Sequence, residues 1–326
     1  MTLILALVCC AFLCSEGARH NLQSFEVLPP FAKMVNGITT DFMHQEVEKH
    51  CSPMCGPEAL KPFQNLAKVR DTVRNLQLQA LLEPCAPQLG QLADSLSAHL
   101  GQMAHLHRAA VRNSIEALRV HYMTFQKWKH KESGDTYKFL ECRKLAEGLD
   151  MNVTLLLKNM KSDLIPKASE VLFAVNNAEV AKVQQLVKIE TEEKQSKKAM
   201  EAAQDTDPSD IETMDRMQEE MRHLRHDIDM IGKNLNPASK IMNDCKNAAM
   251  SWEFQQIALD RLQFVMETNS DRFEFSVDVE SGFEDAIFSW LALGKFNYLV
   301  LQLLHPDVIP EIDEMISNEG QRTDKM

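Results

Sequence analysis

Apolar and polar positions divide the chain into long stretches with a helical period. From Gln88 to about Trp128 there is no proline, and Leu96, Leu100, Met103, Val111, Ile115, Leu118, Tyr122 and Phe125 recur at steps mostly of three and four. That spacing places them on one face of a 3.6-residue helix, so the stretch predicts a single amphipathic helix. After Ser133-Gly134-Asp135 a second periodic stretch runs from about Thr136 to Gln204. It is predicted to bend or break near Pro166, which lacks the amide that the helical ladder needs. Asp205-Thr206-Asp207-Pro208 marks a turn, and Ser209 with Glu212 has the spacing of a capping box that opens a new helix.

Along this new helix Met214, Met217, Met221, Leu224, Ile228, Ile231 and Leu235 alternate steps of three and four, the seam of a coiled coil. Leu172, Val175, Val180, Val183 and Val187 offer a facing row on the preceding helix. The two are therefore predicted to fold back antiparallel as a long hairpin. Its tip, Glu190 to Ala203, is polar, with Glu190/Lys194 and Glu193/Lys197 in the favourable i,i+4 order. Pro237 is predicted to kink the descending helix.

The ends of the chain follow other patterns. Between Gln23 and Leu82, Pro29-Pro30, Pro53, Pro57 and Pro62 break the chain into short helices and turns. From Arg272 to Val279, Phe273, Phe275, Val277 and Val279 alternate with polar residues as in a half-buried strand. A second capping box, Ser281 to Glu284, introduces Ala286 to Leu304, nineteen residues with Lys295 as the sole formal charge. That stretch is long enough to cross a bilayer, but a central lysine costs about 2.5–3.5 kcal/mol there. Gly294, Asn297 and Gln302 weaken a span further, and a helix buried among other helices is expected.

The fold class that follows is all-α: an elongated helical bundle with a long antiparallel coiled-coil hairpin. Its predicted parts are a signal peptide (1-17), a disulfide-tied helical bundle (18-150), the hairpin (151-268) and an apolar C-terminal helical segment with a polar tail (269-326). Composition agrees, since only 11 Gly and 12 Pro in 326 residues leave little material for a turn-rich β fold. A net charge of −12 disfavours nucleic acid as a partner.

The uncharged run Leu3 to Cys14, followed by small residues, has the layout of a secretory signal peptide, with cleavage expected after Gly17. A secreted, extracellular protein is the expectation. Cleavage leaves Cys51, Cys55, Cys85, Cys142 and Cys245 as disulfide candidates, an odd number in an oxidising compartment. Cys85, bracketed by Pro84 and Pro87, is a natural partner for Cys51 or Cys55. Asn152-Val153-Thr154 is a glycosylation sequon, so Asn152 is expected on an exposed helix face.

Chemistry-bearing motifs are sparse. The chain has no nucleophile elbow, Gly-rich phosphate loop, HExxH or paired CxxC, and a non-catalytic protein without a cofactor is expected. Glu220 and His223 share the Glu-x-x-His spacing of di-iron bundles, but no second such motif exists. Cleavage after Gly17 would put His20 third from a free amine, where amine, amides and imidazole can chelate Cu(II) or Ni(II). From His105 to Lys131 the chain has six basic residues, Arg108, Arg112, Arg119, Lys127, Lys129 and Lys131, against one acid, Glu116. They form a candidate patch for an anionic glycan or lipid surface, set against the simpler reading of compensation by acidic neighbours. His107 interrupts the apolar stripe and is expected as a hydrogen-bonded core histidine.

Two function classes follow. The first is a secreted structural or interaction protein, a scaffold or matrix component assembling with itself or a protein partner through the hairpin. The alternative is a membrane- or lipid-active secreted protein, pore-forming-like or lipid-binding, that uses the 286-304 helix.

Overall fold

The structure, a computed structural model, describes residues 57–129, 136–203, 208–270 and 277–315. Among them every regular element is helical and no strand occurs. In chain order these are α1 (Pro57–Gln77), a 3-10 segment (Ala80–Cys85), α2 (Ala86–Lys129), α3 (Thr136–Asn159) and a π segment (Met160–Leu164). They continue with α4 (Ile165–Ala203), α5 (Pro208–Ser270), α6 (Val277–Leu304) and a 3-10 turn (Pro306–Val308). The all-α fold with long helices is therefore as expected.

Proline explains two local features. Pro166 supplies no amide, and the ladder adjusts just before it: the Ile165 N–H bonds to the Met160 carbonyl, five residues back, which closes the π segment. The interruption near Pro166 is thus a widened turn inside a continuous helical run. Pro208 occupies the first position of α5, where a missing amide costs nothing. Ser209 consequently lies inside the helix, and α5 runs on through Pro237 without a break.

The strand expected over 272–279 requires correction at its C-terminal end. Val277, Asp278 and Val279 form the first turn of α6, and Ser281 lies inside the helix rather than capping it. A lone alternating segment has no ladder partner, whereas helix satisfies its backbone locally. Residues 272–276 lie outside the described residues.

Packing divides the chain into two compact units, each drawing on segments far apart in sequence. Of the described residues, unit 1 takes those up to Asn65, those within Leu100–Lys158 and those from Ala248 on; unit 2 takes Leu66–His99 and those within Asn159–Asn247.

In unit 2, α4 and the α5 stretch to Asn247 run antiparallel. Glu179 lies against Gly232, Lys182 binds Asp227 at 2.9 Å, Glu190 binds Arg225 at 2.8 Å, and Gln218 donates to Glu193 at 3.4 Å. The coiled-coil hairpin is thus present, with Ile189, Met221 and Leu224 forming a buried cluster flanked by Leu186 and Met217. Glu190 and Glu193 reach across the hairpin here, besides the i,i+4 spacing to Lys194 and Lys197. On α4, however, Val180, Val183 and Val187 are exposed, and the seam passes instead through Val175, Lys182, Leu186 and Ile189. The 3-10 segment Ala80–Cys85 packs on α4 and buries Leu82 and Cys85.

Gly232 offers a direct test of the hairpin interior. A Cβ there would meet only the Glu179 carboxylate, at 3.0 Å, the tip of a flexible side chain. Gly232→Ala should therefore stabilise the protein by about 0.5–1 kcal/mol, the usual gain from removing a mid-helix glycine. A rise in the urea midpoint would show it.

Candidate functional site

Unit 1 is organised around an aromatic cluster. Phe63 of α1 lies edge-on to Trp252 of α5, Phe296 of α6 and His107 of α2, with centroids 5.9, 5.7 and 5.7 Å apart. His107 stacks on Trp252 at 4.6 Å. Edge-to-face and offset contacts of this kind add to the area buried. His107 is wholly buried, and its Nδ1 lies 2.6 Å from Asn297 Oδ1 on α6. Asn297 in turn donates from Nδ2 to the Leu293 carbonyl at 2.7 Å. This orients the amide and makes His107 Nδ1 the proton donor, so the lone pair is on Nε2, a buried atom with no hydrogen-bond partner. Burial above all holds this imidazole down to about 3; the Asn297 bond pulls upward and nearby His305 pushes down again.

A second buried imidazole, His121, lies on the same helix. Its Nδ1 donates to the Ala117 carbonyl at 2.6 Å and lies 3.7 Å from the Cys142 Sγ of α3. Burial pushes His121 down to about 4, against an upward pull from the Ala117 bond. The Cys142 thiol is pushed up to about 12, by burial first and by Glu116 and Glu141 next. Both shifts favour the uncharged forms at neutral pH.

α6 is the buried apolar helix expected from its composition. Trp290, Leu293, Phe296, Asn297, Val300 and Leu301 are all buried. Among the described residues no helix is long and apolar enough to cross a membrane.

The surface of unit 1 is less conventional. On α5, Met250, Phe254, Ile257 and Phe264 are exposed, Phe264 at 66%, in steps of four, three and seven that put them on one stripe. On α3, Met151 and Leu155 are exposed one turn apart. Gln256 donates to the Thr154 hydroxyl at 2.7 Å, so the two helices meet beside these residues. On each helix the exposed apolar positions lie on the side away from the buried ones. Asp150 and Asp260 face each other, and Asp150 is raised above its ordinary value, by burial first and Asp260 next. Single exposed apolar residues are ordinary, but six on the outer faces of two adjoining helices make a candidate interaction surface.

Among the described side chains, the basic residues Arg108, Arg112 and Arg119 do not make one free patch. Arg108 binds Glu311 at 3.1 Å, the kind of compensation by acidic neighbours that stood against the patch, and Arg119 lies 3.8 Å from Glu116 of its own helix. Arg112 is exposed. Lys127 and Lys129 fall in α2, their side chains outside the description, and Lys131 lies outside the described residues. Asn152 is exposed, as expected of a sequon. Cys85, Cys142 and Cys245 are buried free thiols rather than halves of bridges; Cys51 and Cys55 lie outside the described residues, as do His20 and the 1-17 leader. The reason is packing: these cysteines serve as small apolar core residues. His223 bonds to Glu219 at 3.0 Å on an exposed face, and among the described residues no group of three metal-ligating side chains occurs.

Sequence reasoning missed Asn297 as a partner of His107 and a polar knot in unit 2. There Ser95 donates to Asp163, which also binds Lys167 at 2.7 Å. These bonds, Lys167 first, hold the Asp163 carboxyl below its ordinary value.

No protein-family model matches the chain, and no curated protein is significantly similar to it. Among solved structures it is similar to the soluble AhlC component of the tripartite alpha-pore-forming toxin AHL from Aeromonas hydrophila. The TM-score is 0.41 at 8% identity, over 75% of this chain and 97% of that one. A triple head mutant of the same component gives 0.43 at 7%, over 76% and 97%. Values this low tie the chain to no family.

Proposed function

We propose that the chain is a secreted, non-catalytic helical protein that works at a lipid surface through apolar helix faces of unit 1. The observation that carries this reading is the pair of exposed apolar faces on α3 and α5. Its composition favours a bilayer interface: two phenylalanines and aliphatic side chains form the stripe, and exposed Arg261 lies among them with a long stem able to reach headgroups. Asp150, already raised, loses its charge more readily than an ordinary aspartate as pH falls, which removes an obstacle to lipid contact. Unit 1 also holds α6, the most apolar helix of the chain, in its interior.

A second reading has its own observation. Phe173, Val180, Val183 and Val187 form an exposed heptad-spaced row on α4, a face that a further coiled-coil helix would fit. It supports assembly with a partner or with another copy.

Flotation with vesicles of phosphatidylcholine and phosphatidylserine, at about pH 7.5 and about pH 5, separates the two. The full chain should co-float, more strongly at the lower pH, and Phe254→Asp/Ile257→Asp should reduce the floated fraction about tenfold or more, as two charges placed in a buried apolar face would. A wild type that stays below the lipid at both pH values, yet sediments as an oligomer, hands the function to the coiled-coil reading.

A further inference from the structure

We propose that the exposed row on α4 is a two-fold interface, on which a second copy of this chain packs its own α4 antiparallel with Val180 on the axis. The proposal rests on the coiled-coil reading of that row and names its occupant.

The face is defined first by what it excludes. Between Glu170 and Lys188 the charged residues are Glu179 and Lys182 alone. Both are turned to the hairpin, where Glu179 lies against Gly232 and Lys182 binds Asp227 at 2.9 Å. The outward side presents Phe173, Asn176, Val180, Val183, Gln184 and Val187, all exposed. In a chain with 25% charged residues, about four turns of exposed helix without a formal charge have the composition of an interface core.

The row also reads alike in both directions. Phe173 and Val187 stand equally far before and after Val180, and so do the amides Asn176 and Gln184. A two-fold axis through Val180 sets each of these residues opposite its counterpart in the other copy, the isologous arrangement of a closed dimer. Val180 then meets Val180, the larger Phe173 ring meets the smaller Val187, and Asn176 meets Gln184. Two side-chain amides can each donate and accept, and polar residues within an apolar seam fix its register.

Charge decides the direction. Glu170 and Lys188 bound the row, and at 3.6 residues per turn both fall about 80° to the same side of Val180. A two-fold axis brings each flank against the same flank of the other copy. Glu170 therefore lies opposite Lys188 of the second copy, displaced by about 3 Å along the helix, at both ends of the row. Parallel pairing would set Glu170 level with Glu170 and Lys188 level with Lys188. The link from Lys188 to Glu192 on its own helix is a 3.8 Å contact between exposed groups, weak enough to be exchanged.

The test is sedimentation of the full chain and of two variants at the exposed axis residue, Val180→Glu and Val180→Lys, with circular dichroism to follow their helix content. The wild type should dimerise at about 100 μM, above the micromolar range expected of an interface this short. Each variant alone sets two like charges face to face and should lose about tenfold or more in association. Mixed in equal amounts, the two variants should recover the dimer, because opposite charges then meet. A monomeric wild type overturns the self-pairing and leaves the row to a different protein, so the coiled-coil reading survives it. A dimer that neither charge disturbs removes that reading from this face, and the proposal with it. A dimer lost in both variants and not restored by mixing overturns the antiparallel axis at Val180.

Discussion

Trp252→Ala should remove about 3–5 kcal/mol of stability, the range for truncating a large core aromatic. Trp252 has no exposed surface, stacks on His107 and meets Phe63 edge-on, so its loss opens a cavity on which α1, α2 and α5 all border. Neither the stacked imidazole nor the Phe63 ring can slide into the space without giving up its other contacts, and incomplete collapse sets the upper part of the range. Trp252→Phe should cost much less. It keeps a ring in place and deletes an indole N–H that is buried without a partner, so part of the lost area is offset by relief of that group. Urea unfolding of both variants measures the difference; equal losses would mean that the cluster is not packed as described.

The second large effect is expected at Asn297. Asn297→Leu preserves bulk but strips the acceptor from His107 Nδ1, leaving a wholly buried imidazole with neither nitrogen bonded. An orphaned buried donor costs about 1–3 kcal/mol. Replacing both partners by apolar groups removes the orphan, so His107→Phe/Asn297→Leu should recover much of the loss although it carries one more substitution. A double-mutant cycle gives the coupling directly. Additive losses would show that the two side chains do not depend on each other.

The helices were legible in the sequence because their signal is local. The run from Gln88 and the Met214-to-Leu235 seam repeat at helical spacing over many turns, and both are helices with the expected face turned inward, Leu96 and Met103 buried in one and Met221, Leu224 and Ile231 in the other. The phase of α4 was not legible. Val180, Val183 and Val187 have a seam-like spacing and outrank Lys182 in hydrophobicity, yet Lys182 lies at the interface because its ammonium meets Asp227 there. An ion pair across a hairpin is invisible to a ranking of one helix by apolarity. The same limit hid the His107 site, since its partner lies 190 residues away and only packing joins them. The strand expectation failed at 277–279 for a related reason: alternation carries meaning only where a neighbouring strand is present. The exposed apolar faces of α3 and α5 were likewise unreadable, because Met151 and Phe254 look like core residues until the opposite face of each helix is seen to be the buried one.

The buried thiols have a consequence for how such a protein can be watched. Cys142 lies in unit 1, and Cys85 and Cys245 in unit 2, all shielded from solvent; Cys142 and Cys245 are pushed up to about 12, so almost no thiolate is present at neutral pH. An alkylating reagent reaches them only during openings of the surrounding helices. Each cysteine is therefore a clock for its own unit: peptide-resolved labelling rates would time the fluctuations of the two units separately, in the unaltered chain and without an added probe.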